Sequence, residues 1–145
     1  MSCPVLSIHI LSKASPNDVT DFLCSSDAIE PYKGVSRRHV ANVGAVAVSL
    51  DSSHIFEGSY GGDWDFVIVL DCPYTWWELR FLLALELCNY LYSKSKGKFL
   101  ASYDTGSVAF YIDGKDFIVP EHSKPDFCKY PNPFFEPKFQ SLPTV

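Results

Sequence analysis

An unbroken apolar run followed closely by a capped amphipathic segment is the feature that most restricts what this chain can fold into. Asp65 and Asp71 enclose Phe-Val-Ile-Val-Leu, a run of strand length with no polar alternation. Such a strand is predicted to be covered on both faces and to form the spine of a sheet. After Pro73, Thr75 and Glu78 then spell a T-x-x-E capping box, and Leu79, Leu82, Leu83, Leu87, Tyr90 and Leu91 recur at helical spacing. A helix from Trp76 to about Ser95 is expected, closed by Lys94, Lys96 and a left-handed Gly97.

The flanks supply further elements. Val5 to Leu11 alternates as a first strand, and Ser15, Pro16 and Asp18 predict a short capped helix to about Cys24. The next twenty residues are expected to be loop, and Gly44 to Leu50 a small-residue strand. Asp51 to Trp64 holds too much Gly, Ser and Asp for a lasting regular element. Beyond the long helix, Phe99–Tyr103, Ser107–Ile112 and Phe117–Val119 read as strands, separated by Asp104-Thr105-Gly106 and Asp113-Gly114 turns.

The expected fold class is therefore α+β, a mainly antiparallel sheet with two helices on one face in the order β-α-β-β-α-β-β-β. A variant of the ferredoxin-like arrangement is one way to connect it. With 145 residues, 47% of them hydrophobic, the chain can close one core. Residues 1–119 are expected to form that domain. Residues 120–145 hold six of the ten prolines and read as a tail, which Phe127, Tyr130, Phe134, Phe135 and Phe139 should draw against the body.

A net charge of −5 argues against binding to a nucleic-acid backbone, which requires clustered Lys and Arg. Five cysteines without a C-x-x-C suggest neither a disulfide framework nor a zinc knuckle. The first residues lack a secretory pattern, and no apolar stretch approaches the ~18 residues that span a bilayer. The expectation is a cytoplasmic protein with no membrane segment, no metal and no cofactor.

Candidates for catalysis are thin. Asp104-Thr105-Gly106-Ser107 matches the aspartic-protease signature, yet Asp-x-Gly also often makes turns. Ser36-Arg37-Arg38-His39 after Gly34 could hold an anion, but no glycine-rich loop opens a helix there. His9, His39, His54 and His122 lack metal-site spacing, and Cys24 or Cys128 with His39 or His122 has no local support as a nucleophile pair.

Charge is more telling. No Lys or Arg occurs between Arg38 and Arg80, while Asp51, Glu57, Asp63, Asp65, Asp71 and Glu78 do. Glu78 is expected to serve a cap, and Asp65 and Asp71 to bracket the buried strand. Asp51, Glu57 and Asp63 remain, interleaved with Phe56, Tyr60 and Trp64. Asp51, Glu57, Tyr60, Asp63 and Trp64 are the expected partner contacts, with aromatic anchors inside an acidic rim that suits a basic protein. Of the adjacent Trp76 and Trp77, one ring should cap the core and the other face a partner.

The run DWDFVIVLDCPYTWWELRFLLALELCNYLYSKSKGKFLASYDTGSVAFYIDGKDFIV, residues 63–119, resembles small bacterial immunity proteins of polymorphic toxin systems. The resemblance lies in a strand and capped helix leading into a Ser-Tyr-Asp-Thr-Gly hairpin. It implies a non-catalytic protein that binds and neutralises one cognate toxin, often a basic nuclease. A small-ligand-binding regulatory domain is the alternative, and a hydrolase built on Asp104 or a Cys–His pair is a third.

Overall fold

The structure is a computed structural model that describes residues 4–23, 38–51, 54–56, 60, 62–123 and 137–145. It opens with β1 (Leu6–Leu11), α1 (Pro16–Phe22), β2 (Arg38–Val43) and β3 (Val46–Asp51). A short ribbon of β4 (His54–Phe56) and β5 (Gly62–Trp64) leads into β6 (Phe66–Asp71) and α2 (Trp77–Lys94). Finally come β7 (Lys98–Tyr103), β8 (Val108–Asp113), β9 (Asp116–Pro120) and β10 (Lys138–Gln140).

Eight strands make one sheet in the order β10-β9-β8-β7-β1-β6-β3-β2, while β4 and β5 pair only with each other. Among the described residues every ladder except β9–β10 is antiparallel. In the central stretch β7-β1-β6-β3, the unit β1-α1-β3 straddles β6 and the unit β6-α2-β7 straddles β1. That interleaving is the ferredoxin-like connectivity, widened here by β2 on one side and β8 to β10 on the other.

Period-two alternation aims Leu6, Ile8 and Ile10 of β1, Phe66, Ile68 and Leu70 of β6, and Phe99 and Ala101 of β7 at one face. Val19 of α1 and Leu83, Ala84, Leu87, Cys88 and Leu91 of α2 enter the same cluster, so both helices cover that face. Phe22 meets Tyr90 between the helices, centroids 5.2 Å apart. Each large side chain taken fully from water there contributes roughly 1.5–3 kcal/mol. The opposite face is not bare: His9, Val67, Val69, Leu100 and Ser102 are buried too. Hence β6 is covered on both sides, as its unbroken apolar run requires.

Several expected boundaries move. Residues 38–43, expected as loop, are the edge strand β2, whose bulge between His39 and Ala41 breaks the alternation that would have revealed it. Glycine-rich residues 51–64 hold the ribbon β4–β5, two strands of three residues each. Thr75 does not cap α2. A 3₁₀ turn, Tyr74–Trp76, comes first, and Trp76 occupies the cap position without a side-chain bond. In α1 the expected cap forms, the Asp18 carboxylate accepting the Ser15 backbone N–H at 2.8 Å.

Gly97 has a different purpose from the one its sequence position suggested. Helix α2 ends at Ser95 in extended backbone, so no left-handed residue is needed. A Cβ on Gly97 would lie 2.4 Å from the Leu11 carbonyl oxygen. Only glycine lets the α2–β7 connection run this close to the end of β1.

Candidate protein-binding site

Register divides the acidic segment between two ends of the sheet. Asp65 precedes β6, Asp71 closes it, and six residues of strand hold them roughly 20 Å apart. Near the first end, Asp51 pairs with Val67 and is half-buried. The exposed Asp65 accepts the Ser12 backbone N–H at 3.1 Å, the backbone bonding expected of a strand bracket. Near the second end, Asp71 pairs with Ala47 and is exposed, and Glu78 is exposed on the first turn of α2.

The expected aromatic anchors do not face outward. Tyr60 is 7% exposed and Trp64 is 3% exposed. Both pack with Leu100 and Val108 on the sheet face opposite the helices. Trp64 also meets His9 edge-on, centroids 6.0 Å apart, and Tyr60 meets Tyr111 at 5.2 Å. The ribbon folds back over an apolar patch, and rings that read as exposed in a Gly- and Ser-rich stretch become its filling. Glu57 lies outside the described residues, as does the side chain of Asp63, whose backbone pairs with Ile55.

Outward-facing rings occur instead at the junction of β6 and α2. Tyr74 is 58% exposed and Trp76 is 40% exposed, the largest such aromatics among the described residues. Trp77 turns inward and packs against the main core, so the adjacent tryptophans divide between surface and core. Trp76 is held from below. The Cβ position of Gly44, in the β2–β3 turn, lies 3.0 Å from its Cζ3 and 3.4 Å from Leu79 Cδ2. Pro73 and the 3₁₀ turn fix the backbone that carries both rings, with the Trp76 N–H donating to the Pro73 carbonyl at 2.9 Å.

The cation that ends the basic-free segment does not offset these carboxylates at the surface. Arg80 is 3% exposed, donates to the Pro4 carbonyl, and places its guanidinium carbon 5.7 Å from the Tyr103 ring centre. Asp71 at the end of β6, Tyr74 and Trp76 in the 3₁₀ turn, and Glu78 in the first turn of α2 are each exposed. Comparison with known protein families, characterised proteins and solved structures finds no match.

Other candidates resolve into structural roles or fall outside the described residues. Asp104 is exposed in the β7–β8 turn, where its N–H donates to the Val5 carbonyl at 3.0 Å and Gly106 takes φ +94°. Its triplet thus makes the turn expected of Asp-x-Gly. Arg37, Cys24 and Cys128, and the side chains of Arg38, His39 and His54, lie outside the described residues. Among the described residues, no three of His, Cys, Asp and Glu converge as a metal site would require. No helix is long and apolar enough to cross a membrane. Cys88 is buried in the core, and burial pushes its thiol well above the ordinary range, which disfavours the thiolate.

Proposed function

We propose that this chain is a non-catalytic immunity protein, which binds and neutralises a cognate basic toxin through the β6–α2 junction. The observation that supports it is that Asp71, Tyr74, Trp76 and Glu78 are all exposed around the β6–α2 junction, within a segment that has no Lys or Arg from residue 39 to 79. Trp and Tyr on a fixed turn lose little entropy on binding and are the residues most often found at energetic centres of interfaces. The carboxylates raise the encounter rate with a basic surface and favour it over an acidic one. The likeness of residues 63–119 to small immunity proteins points the same way.

The test has two stages. Tagged protein is recovered from its native cells at low and moderate salt, beside Trp76→Ala and a paired Asp71→Asn, Glu78→Gln variant. A stoichiometric basic polypeptide should accompany the unaltered protein, fall away as salt rises, and be lost by roughly tenfold or more with Trp76→Ala. That polypeptide is then expressed in a fresh host with and without the chain, which should protect the host. A partner retained equally by all variants, or one whose expression harms nothing, overturns the reading.

A further inference from the structure

The turn between β2 and β3 carries no charge and no motif, yet it supports Trp76. Val43 pairs with Val46, which leaves Gly44 and Ala45 as the two central residues of a tight hairpin. Gly44 takes φ +60°, and the first central position of a two-residue hairpin favours such a glycine. A Cβ built there would lie 3.0 Å from Trp76 Cζ3 and 3.5 Å from its Cη2, so the six-membered edge of the indole rests on this backbone. Gly44 and Ala45 are themselves exposed.

That contact fixes what a partner on Trp76 must also cover. A standard interface takes roughly 800 Å² from each side, a disc of about 16 Å radius, and its energetic centre is ringed by neighbours that exclude water. Gly44 touches Trp76 and Ala45 adjoins Gly44, so both fall inside such a disc centred on the indole. Ala47, two residues past the turn, pairs with Asp71, which places the hairpin at the same end of the sheet as that exposed carboxylate.

We propose that the β2–β3 turn is part of the partner-binding surface and faces the basic side of the partner, with Ala45 as a specificity-determining position. This rests on the proposed function and extends its contact surface from the β6–α2 junction to a second element. Two small residues let the partner's backbone approach the edge of Trp76. A cation at position 45 would meet the partner's own cations at contact distance, whereas a carboxylate there would extend the acidic field.

The test takes the basic polypeptide recovered with the unaltered chain and measures its Kd for Ala45→Lys, for Ala45→Glu and for a control on the exposed β10 edge, Gln140→Lys. Because Ala45 is exposed, both of its variants should melt close to the unaltered protein. At low salt Ala45→Lys should weaken binding roughly tenfold or more, while Ala45→Glu and the control change it less than about threefold, and the gap between Lys and Glu should narrow at moderate salt. Equal retention by Lys and Glu would put the turn outside the footprint, and equal loss would show crowding without charge preference. Either result overturns the role given to the turn, and if Trp76→Ala still loses the partner the proposed function stands. Should no basic polypeptide accompany the chain, both fall.

Discussion

The Tyr60 hydroxyl donates to the Pro143 carbonyl at 2.8 Å across a sequence separation of 83 residues. This bond ties the glycine-rich stretch to residue Pro143, over the sheet face opposite the helices. Tyr60→Phe keeps the ring against Tyr111 and Val108 and removes only the bond. The expected loss is about 1 kcal/mol, read from urea denaturation with an unchanged slope. An unaltered midpoint would mean that water replaces the hydroxyl at no net cost.

Gly97→Ala tests the close approach of the α2–β7 connection to β1. Its new Cβ would stand 2.4 Å from the Leu11 carbonyl oxygen and 2.8 Å from Ser12 Cβ, and neither backbone can yield without disturbing β1. A destabilisation of about 1–3 kcal/mol is expected, the range for overfilling a packed site. A variant as stable as the original would show that the connection shifts easily.

The tryptophans should separate stability from binding. Trp64, 3% exposed, fills the patch above Leu100 and Val108, so Trp64→Ala should cost about 3–5 kcal/mol. Trp76, 40% exposed, should cost no more than about 1 kcal/mol when truncated. Thermal melts of the two variants check the ordering. If Trp76→Ala proved the more destabilising, its indole would be a structural wedge against Gly44 and Leu79 rather than a contact residue.

Tyr111 gives a pH dependence with a definite sign. Burial chiefly, then the Asp113 charge, the hydrogen bond to Asp113 and the neighbouring Tyr60 push its phenol up to about 12. The ordinary value for an unfolded chain is about 10. The folded state therefore binds this proton more tightly. Its stabilising effect is fully present below pH about 10 and disappears as pH rises through the folded value near 12. Stability should fall across that alkaline window, and Tyr111→Phe should flatten the fall. Phenolate absorbance at 295 nm, compared between the two proteins, locates the group responsible.

The parts of the fold that could be read from the chain are those whose signal is local. The apolar run Phe66–Leu70 marks a strand buried on both faces, and Leu83, Leu87 and Leu91 mark the core side of a helix, because 2.0- and 3.6-residue periods are written in consecutive residues. Ser15 and Asp18 announce a helix start for the same reason. Edge strands carry less: β2 is broken by a bulge, and β4, β5 and β10 have three residues each, too few to display a period. That adjacent Trp76 and Trp77 would divide between surface and core was legible, but which of them faces out was not.

Sequence by itself determined that this chain forms a mainly antiparallel sheet and two helices around one core, and that residues 39 to 79 carry carboxylates without Lys or Arg. Tertiary structure alone decided which aromatic rings in that acidic stretch meet solvent. Tyr60 and Trp64 are buried because the ribbon folds back onto Leu100 and Val108, residues far along the chain, with Leu142 arriving from farther still. Exposure is a property of what lies opposite a side chain. Composition near Tyr60 describes its neighbours in sequence, whereas its solvation is set by strands whose register is fixed only when the sheet closes.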